Sequence, residues 1–198
     1  MATSTVFSDF ELKKLGFKFK GTTEYKAVEC IGSLEEEMEV KVITKSCRGV
    51  VKKKITKGTG NGDLKGSAHI PWDIYTEAFG MNLDTLITGV KAYGANSIHK
   101  EIALTALVED EDGNVKYKAY PKAVMSVGKA SKIKNGEEEV AEYEFEISVM
   151  PDEYGNGVYE ALASELDEEI AEQWLTAFTP ELVQNVTSGG IDTGGGAE

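Results

Sequence analysis

The sequence predicts a mainly β protein: a β-sandwich or barrel of antiparallel strands. To this it adds a short flanking α-helix over about 71–80, a long projecting hairpin over about 45–66 and a C-terminal helical segment. Three observations predict it. Apolar and polar residues alternate with period two along 38–42 and without a break along 142–149. Turn residues punctuate the alternating runs. One proline-led aromatic stretch stands at helical spacing.

Residues 1–9 lack a basic region followed by an apolar run, so no signal peptide is expected, and the chain is expected to be made in cytosol. Residues 25–31 read as a rough strand and 38–42, Met-Glu-Val-Lys-Val, as a clear one. The run from Lys45 to Lys57 is basic inside an acidic protein, and Gly58-Thr59-Gly60-Asn61-Gly62-Asp63 follows as an expected flexible tip. With 64–70 returning as a strand, 45–66 reads as a hairpin projecting from the body.

Pro71 suits the start of a helix, because its ring fixes φ and the missing N–H has no helical partner there. Trp72, Tyr75 and Phe79 then fall on one helical face, expected to be core, and Gly80 stops the segment. Residues 98–108 are more continuously apolar than the other runs, which predicts a strand covered on both sides. Asp110-Glu111-Asp112-Gly113-Asn114 and the Asn135-Gly136 pair read as turns, so 98–150 is expected to be a three-strand antiparallel meander. In its last strand Tyr143, Phe145, Ile147 and Val149 share one face; Glu142, Glu144 and Glu146 share the other, which must border water. Residues 158–178 read as helix with an acidic polar face. One domain is expected over 1–187, followed by a flexible glycine-rich tail over 188–198.

Charge and composition narrow the function. The net charge is −13, from 21 Lys and Arg against 34 Asp and Glu, which disfavours a protein that grips phosphate backbones or anionic lipid. No run approaches the ~18 apolar residues of a membrane span. Cys30 and Cys47 match no zinc or redox spacing and read as reduced, half-buried thiols. His69 and His99 read as structural. No metal or cofactor is expected. Nucleophile-elbow, zinc-protease and phosphate-loop motifs are missing, and the acids stand in solvated runs instead of apolar pockets, so no enzyme is expected.

An acidic body with a basic hairpin suits self-association. If several copies set their acidic strand faces around a bore, its wall would repel a polyanion, so DNA could slide through without sticking. The stretch 70–162 resembles the major tail protein, or tail tube protein, of long-tailed bacteriophages of Gram-positive hosts. The residues that carry the resemblance are Pro71-Trp72-Asp73-Ile74-Tyr75 running to Phe79-Gly80-Met81, Val90-Lys91-Ala92-Tyr93-Gly94, the strand pair around Asp110–Asn114 and 119–124, and the closing strand 142–147. It is a resemblance of layout over about half the chain.

The resemblance implies β-sandwich subunits in hexameric rings stacked into a hollow tube, with inner sheets joined into one barrel and loops bridging successive rings. It also implies a virion location, a tape-measure protein enclosed during assembly, further proteins at the tube ends, and DNA passing without specific binding. Related tubes occur in contractile tails and in type VI secretion. On this reading Arg48, Lys52, Lys53, Lys54 and Lys57 form the ring-to-ring arm, and Glu142, Glu144, Glu146, Glu37 and Glu39 line the channel. Two other readings stay open: a subunit of a related secretion or injection tube, and a monomeric β-sandwich module that binds carbohydrate or protein. An acid-pair hydrolase is a remote third.

Overall fold

The computed structural model describes residues 6–133, 135–136 and 140–185. Eight strands form one antiparallel sheet: β1 (Glu11–Phe19), β2 (Lys26–Val28), β3 (Ile31–Cys47), β4 (Val50–Ala68), β5 (Glu101–Glu109), β6 (Val115–Met125), β7 (Tyr143–Val149) and β8 (Tyr159–Leu162). The order is β2-β1-β5-β6-β7-β4-β3, with β8 also on β6, so the sheet is open and does not close into a barrel. One edge of β6 is shared. Its first half, Lys116 to Ala119, pairs β8, and its end, Ala123 to Met125, pairs β7. The sheet folds over until Glu36 of β3 meets Lys118 and Tyr120 of β6.

The inward residues fill the space between the folded halves. Phe17, Leu64, Ile102, Leu104, Tyr120, Phe145, Ile147 and Val149 are buried there. Helix α1 (Trp72–Ala78) closes the core with Ile74, Tyr75 and Ala78. Its end is a Schellman motif: Met81 N–H donates to Thr76 O at 2.8 Å and Gly80 N–H to Glu77 O at 3.0 Å. Gly80 sits at φ +61, as its position after the helix predicts. Trp72, expected in the core, is 57% exposed and stacks on Tyr75 from outside, because it stands in the first turn beyond the reach of the sheet.

The predicted meander is present as β5, β6 and β7. A second layer covers the back of β5 and β6. There α2 (Glu168–Ala177) buries Trp174, whose Nε1–H donates to Lys118 O at 3.1 Å, and Phe178 packs on Trp174 and Tyr159. This accounts for the more continuously apolar run of β5. β6 ends at Met125 and β7 begins at Tyr143, so Asn135-Gly136 does not join the two strands directly, and its flanking Lys134 and Glu137 lie outside the described residues.

The β5–β6 hairpin turn and the loop between β7 and β8 share one construction. In Asp110–Asn114 and in 152–156, an Asp carboxylate accepts backbone N–H groups two and four residues on, at 2.7–2.9 Å, and a glycine at φ +82 follows. Asp110, nearly buried, has its carboxyl held below the usual range. Burial opposes that, but bonds from the Asn114 side chain and from backbone N–H groups outweigh it.

Three expectations need correction. The hairpin is longer than 45–66 and turns earlier, at Arg48 (φ +50) and Gly49 (φ +77), between the paired Cys47 and Val50. Two positive φ values suit a two-residue hairpin turn, and Gly58–Asp63 lies within β4 instead of forming a tip. Residues 158–178 are not one helix. The chain pairs first with β6 as β8, takes a 3₁₀ turn at Ala163–Glu165, and only then enters α2. Cys30 and Cys47 are both exposed, not half-buried. The 188–198 tail and the acid run Glu137 to Glu139 lie outside the described residues.

Candidate interaction surfaces

The β3–β4 hairpin has two parts. Its root, Ile31 to Met38 with Gly62 to Ala68, belongs to the sheet, and β7 pairs β4 over Gly62 to Ala68. Beyond the root, Val40 to Cys47 and Val50 to Gly58 pair, among the described residues, only with each other. At ~3.4 Å per residue this free ribbon is about 27 Å long. Every residue from 39 to 58 is exposed.

Where ribbon meets root the register jumps. Met38 pairs Gly62, but Val40 pairs Gly58, so Glu39 faces the three residues Thr59 to Asn61. Gly60 adopts φ +80 in this bulge. The loop 151–157 packs directly on it. A Cβ added at Gly157 would overlap the Gly60 carbonyl oxygen and reach 2.9 Å from Met38 Cε; one added at Gly60 would stand 2.8 Å from Gly155 O. The glycines that look like a flexible tip in the sequence are therefore the seat on which a neighbouring loop clamps the ribbon root.

Residues 40–58 hold seven cations and no acid. Register and strand alternation place Lys41, Lys45, Lys53 and Lys57 on one face, as the directly opposed pairs Lys41–Lys57 and Lys45–Lys53 around an Ile43–Ile55 pair. The other face carries Val40, Val42, Thr44, Val51 and Thr56, with Lys54. Of the predicted arm residues, Lys53 and Lys57 join the basic face. Lys54 points the other way, Lys52 sits in a second bulge near the tip, and Arg48 forms the turn. Lys41 and Lys45, not predicted as arm residues, complete the face.

None of the seven cations forms an ion pair among the described residues. Like charges set directly opposite destabilise a strand pair, and a two-stranded ribbon is only marginally stable alone. Val40, Val42, Val50, Val51, Ile43 and Ile55 are also exposed along it. Among the described residues nothing covers this charge or this apolar surface.

The outward face of the root is acidic. Glu35, Lys65 and Glu146 form one row across β3, β4 and β7; Glu37, Asp63 and Ser148 form the next; Ser33, Ser67 and Glu144 a third. Glu142 lies just outside β7 with its carboxylate over Gly32 beside Ser67. Of the predicted channel acids, Glu144, Glu146 and Glu37 thus share one exposed face, with half-buried Glu142 at its border. Glu39 follows on the same side of β3, and Glu35 and Asp63 were missed. Along that side of β3 the charge reverses, from Glu35, Glu37 and Glu39 to Lys41 and Lys45. The run Glu35-Glu36-Glu37-Met38-Glu39-Val40-Lys41 carries this signal in the sequence.

The inward Glu36 does different work. It accepts from Lys118 Nζ at 2.7 Å and from Tyr120 Oη, and Glu160 takes the other side of Lys118 at 2.8 Å. Lys118 is 8% exposed. Burial lowers its pKa, but its bonds to Glu160 and Glu36 outweigh that and raise it; burial and the Glu36 charge push the Tyr120 phenol up. This network ties the root to the opposite half of the sheet.

Among the described residues no group of three or more His, Cys, Asp and Glu side chains is arranged to hold a metal ion. No described helix is long and apolar enough to cross a membrane. His99 is fixed between Met125 O at 2.8 Å and the Tyr93 hydroxyl at 3.1 Å.

No protein-family model matches the chain, and no curated protein matches it. Among solved structures it is similar to a chain from the cryo-EM structure of the anti-feeding prophage (AFP) baseplate, 6-fold symmetrised. The TM-score is 0.39 and the identity 11%, covering 73% of this chain and 92% of that chain.

Proposed function

We propose that this chain is a non-enzymatic structural subunit that polymerises through its β3–β4 ribbon, as a phage tail tube protein. The observation that carries the reading is the ribbon itself: about 27 Å of two-stranded sheet projecting from the body, basic on one face, β-branched on the other, and without a partner in its own molecule among the described residues. A second copy supplies the opposite charge, since the whole chain is −13 while the ribbon is strongly positive. The edge of β3, Ile31–Cys47, that pairs with no described strand adds a row of backbone groups open to strand pairing.

In the assembled form, the resemblance noted for 70–162 supports hexameric rings stacked into a tube within a virion, enclosing a tape-measure protein and meeting other proteins at the tube ends. The exposed face of Glu144, Glu146 and Glu37, bordered by Glu142 and followed by Glu39, supports an acidic channel past which DNA slides. At −13 per copy a hexameric ring would carry roughly −78, so added salt should alter assembly.

Sedimentation velocity at rising concentration tests the reading, in about 0.05 M and about 1 M salt. The expected result is concentration-dependent growth that salt changes and that the substitutions Lys41→Glu, Lys45→Glu, Lys53→Glu and Lys57→Glu together abolish. A chain that stays monomeric in every condition overturns it. So does one that binds duplex DNA tightly without self-associating. For the channel, Glu142→Lys, Glu144→Lys and Glu146→Lys together should arrest DNA during ejection; normal ejection would remove that face from the channel.

A further inference from the structure

Residues 151–185 contain nine carboxylates and no Lys, Arg or His. Only Glu160 among the nine forms an ion pair with a described residue. Glu168, Glu169 and Glu172 are exposed on α2, Glu153 on the loop 151–157 and Glu181 on the 3₁₀ turn Pro180–Val183. The neighbouring Glu181 raises the Glu153 carboxyl above its ordinary range. Two carboxylates in this arrangement gain from a cation placed beside them.

This acidic belt begins at the root of the ribbon, because the loop 151–157 is the one that packs on Gly60. The ribbon itself runs away from the body, exposed over 39–58. Each copy therefore carries acid at the root and base along the arm. A second copy set head to tail along the arm would bring its root-side acids towards the basic ribbon of the first. Such a contact joins two different surfaces and leaves both ends open for growth. The root's own sheet face is the rival receptor, but Lys65 stands in register between its Glu35 and Glu146, whereas 151–185 brings no cation of its own and Lys18 of β1 stands near Glu181.

We infer that the lysine face of the ribbon docks on Glu153, Glu168, Glu169, Glu172 and Glu181 of a second copy. The inference rests on the reading of the ribbon as a docking arm and names the surface that receives it.

A charge-swap experiment on the full chain tests it. The ribbon variant carries Lys41→Glu, Lys45→Glu, Lys53→Glu and Lys57→Glu; the belt variant carries Glu153→Lys, Glu168→Lys, Glu169→Lys and Glu172→Lys. Each alone should self-associate at least tenfold more weakly than the natural chain in low salt, and an equimolar mixture should recover association, as alternating copies. If circular dichroism shows the belt variant unfolded, the same four positions changed to Gln carry the test, with weakened association expected. A folded belt variant that associates like the natural chain, beside a ribbon variant that does not, overturns the belt as receptor and leaves the docking arm standing. A ribbon variant that associates normally overturns both.

Discussion

The seat of the ribbon offers a perturbation whose size follows from the geometry. Gly157 is buried against the carbonyl group of Gly60, and the substitution Gly157→Ala puts a methyl into that contact. The new Cβ would overlap the oxygen and come within 2.9 Å of the carbonyl carbon and of Met38 Cε. Met38 can swing aside, since a thioether is flexible. The Gly60 carbonyl is backbone and must retreat by on the order of 1 Å to restore ordinary contact. Overpacking of this kind costs about 1–3 kcal/mol, which for a chain of this size lowers Tm by about 2–12 °C. The loss falls on the joint that aims the ribbon, so assembly should suffer more than folding does. Thermal melting by circular dichroism reads the first effect. Hydrogen exchange over 50–61 and light scattering read the second, with faster exchange and less scattering expected. Gly58→Ala is the control, because nothing lies within 4 Å of its added methyl. A Gly157→Ala protein that melts within a degree of the natural chain and assembles normally would refute the clamp.

Three further outcomes follow from packing and titration. Thr105 Oγ1 is buried without a hydrogen-bond partner among the described residues, so Thr105→Val should raise stability by about 1 kcal/mol in a denaturant melt; a loss would mean the hydroxyl is satisfied. Trp174→Ala removes the anchor of α2 and should cost about 3–5 kcal/mol, read in the same melt, with α2 exchanging early. Burial raises the pKa of Tyr25 and of Tyr120, where the Glu36 charge adds to it, and Lys118 is raised by Glu160 and Glu36 against its burial. The folded chain holds these protons more tightly than the unfolded one. Stability is therefore full below about pH 10 and declines as pH rises through the higher folded values. Melts above pH 10 should show that decline, shallower in Tyr120→Phe; a flat profile would contradict the placement.

What could be read from the sequence follows the range of the forces involved. The alternation in 142–149 fixed β7 and both its faces because period two is local and one face had to be buried. Pro71 and Gly80 bounded α1 for equally local reasons. The hairpin failed at its turn. Gly58-Thr59-Gly60-Asn61-Gly62 is the louder turn signal, and Arg48-Gly49 the quieter one that the chain uses. The loud signal reports a tertiary event, since those glycines admit a loop nearly a hundred residues away in sequence. Residues 159–162 carry helix-compatible residues but pair β6, where tertiary context overrides local propensity. The acidic face was legible as Glu142, Glu144 and Glu146, but its extension to Glu35 and Asp63 needed the register of β3, β4 and β7. The charge segregation behind the belt was present in plain counts: seven cations without an acid over 40–58, nine acids without a cation over 151–185. Only the contact of Gly60 with Gly157 gives those two counts a common place in the molecule.

The central claim is that the ribbon joins copies of this chain into an open-ended polymer. Negative-stain electron microscopy of the purified full chain, at high concentration in low salt, tests it most directly. The account predicts rings or hollow tubes of uniform bore. A field of single particles at every concentration would contradict it.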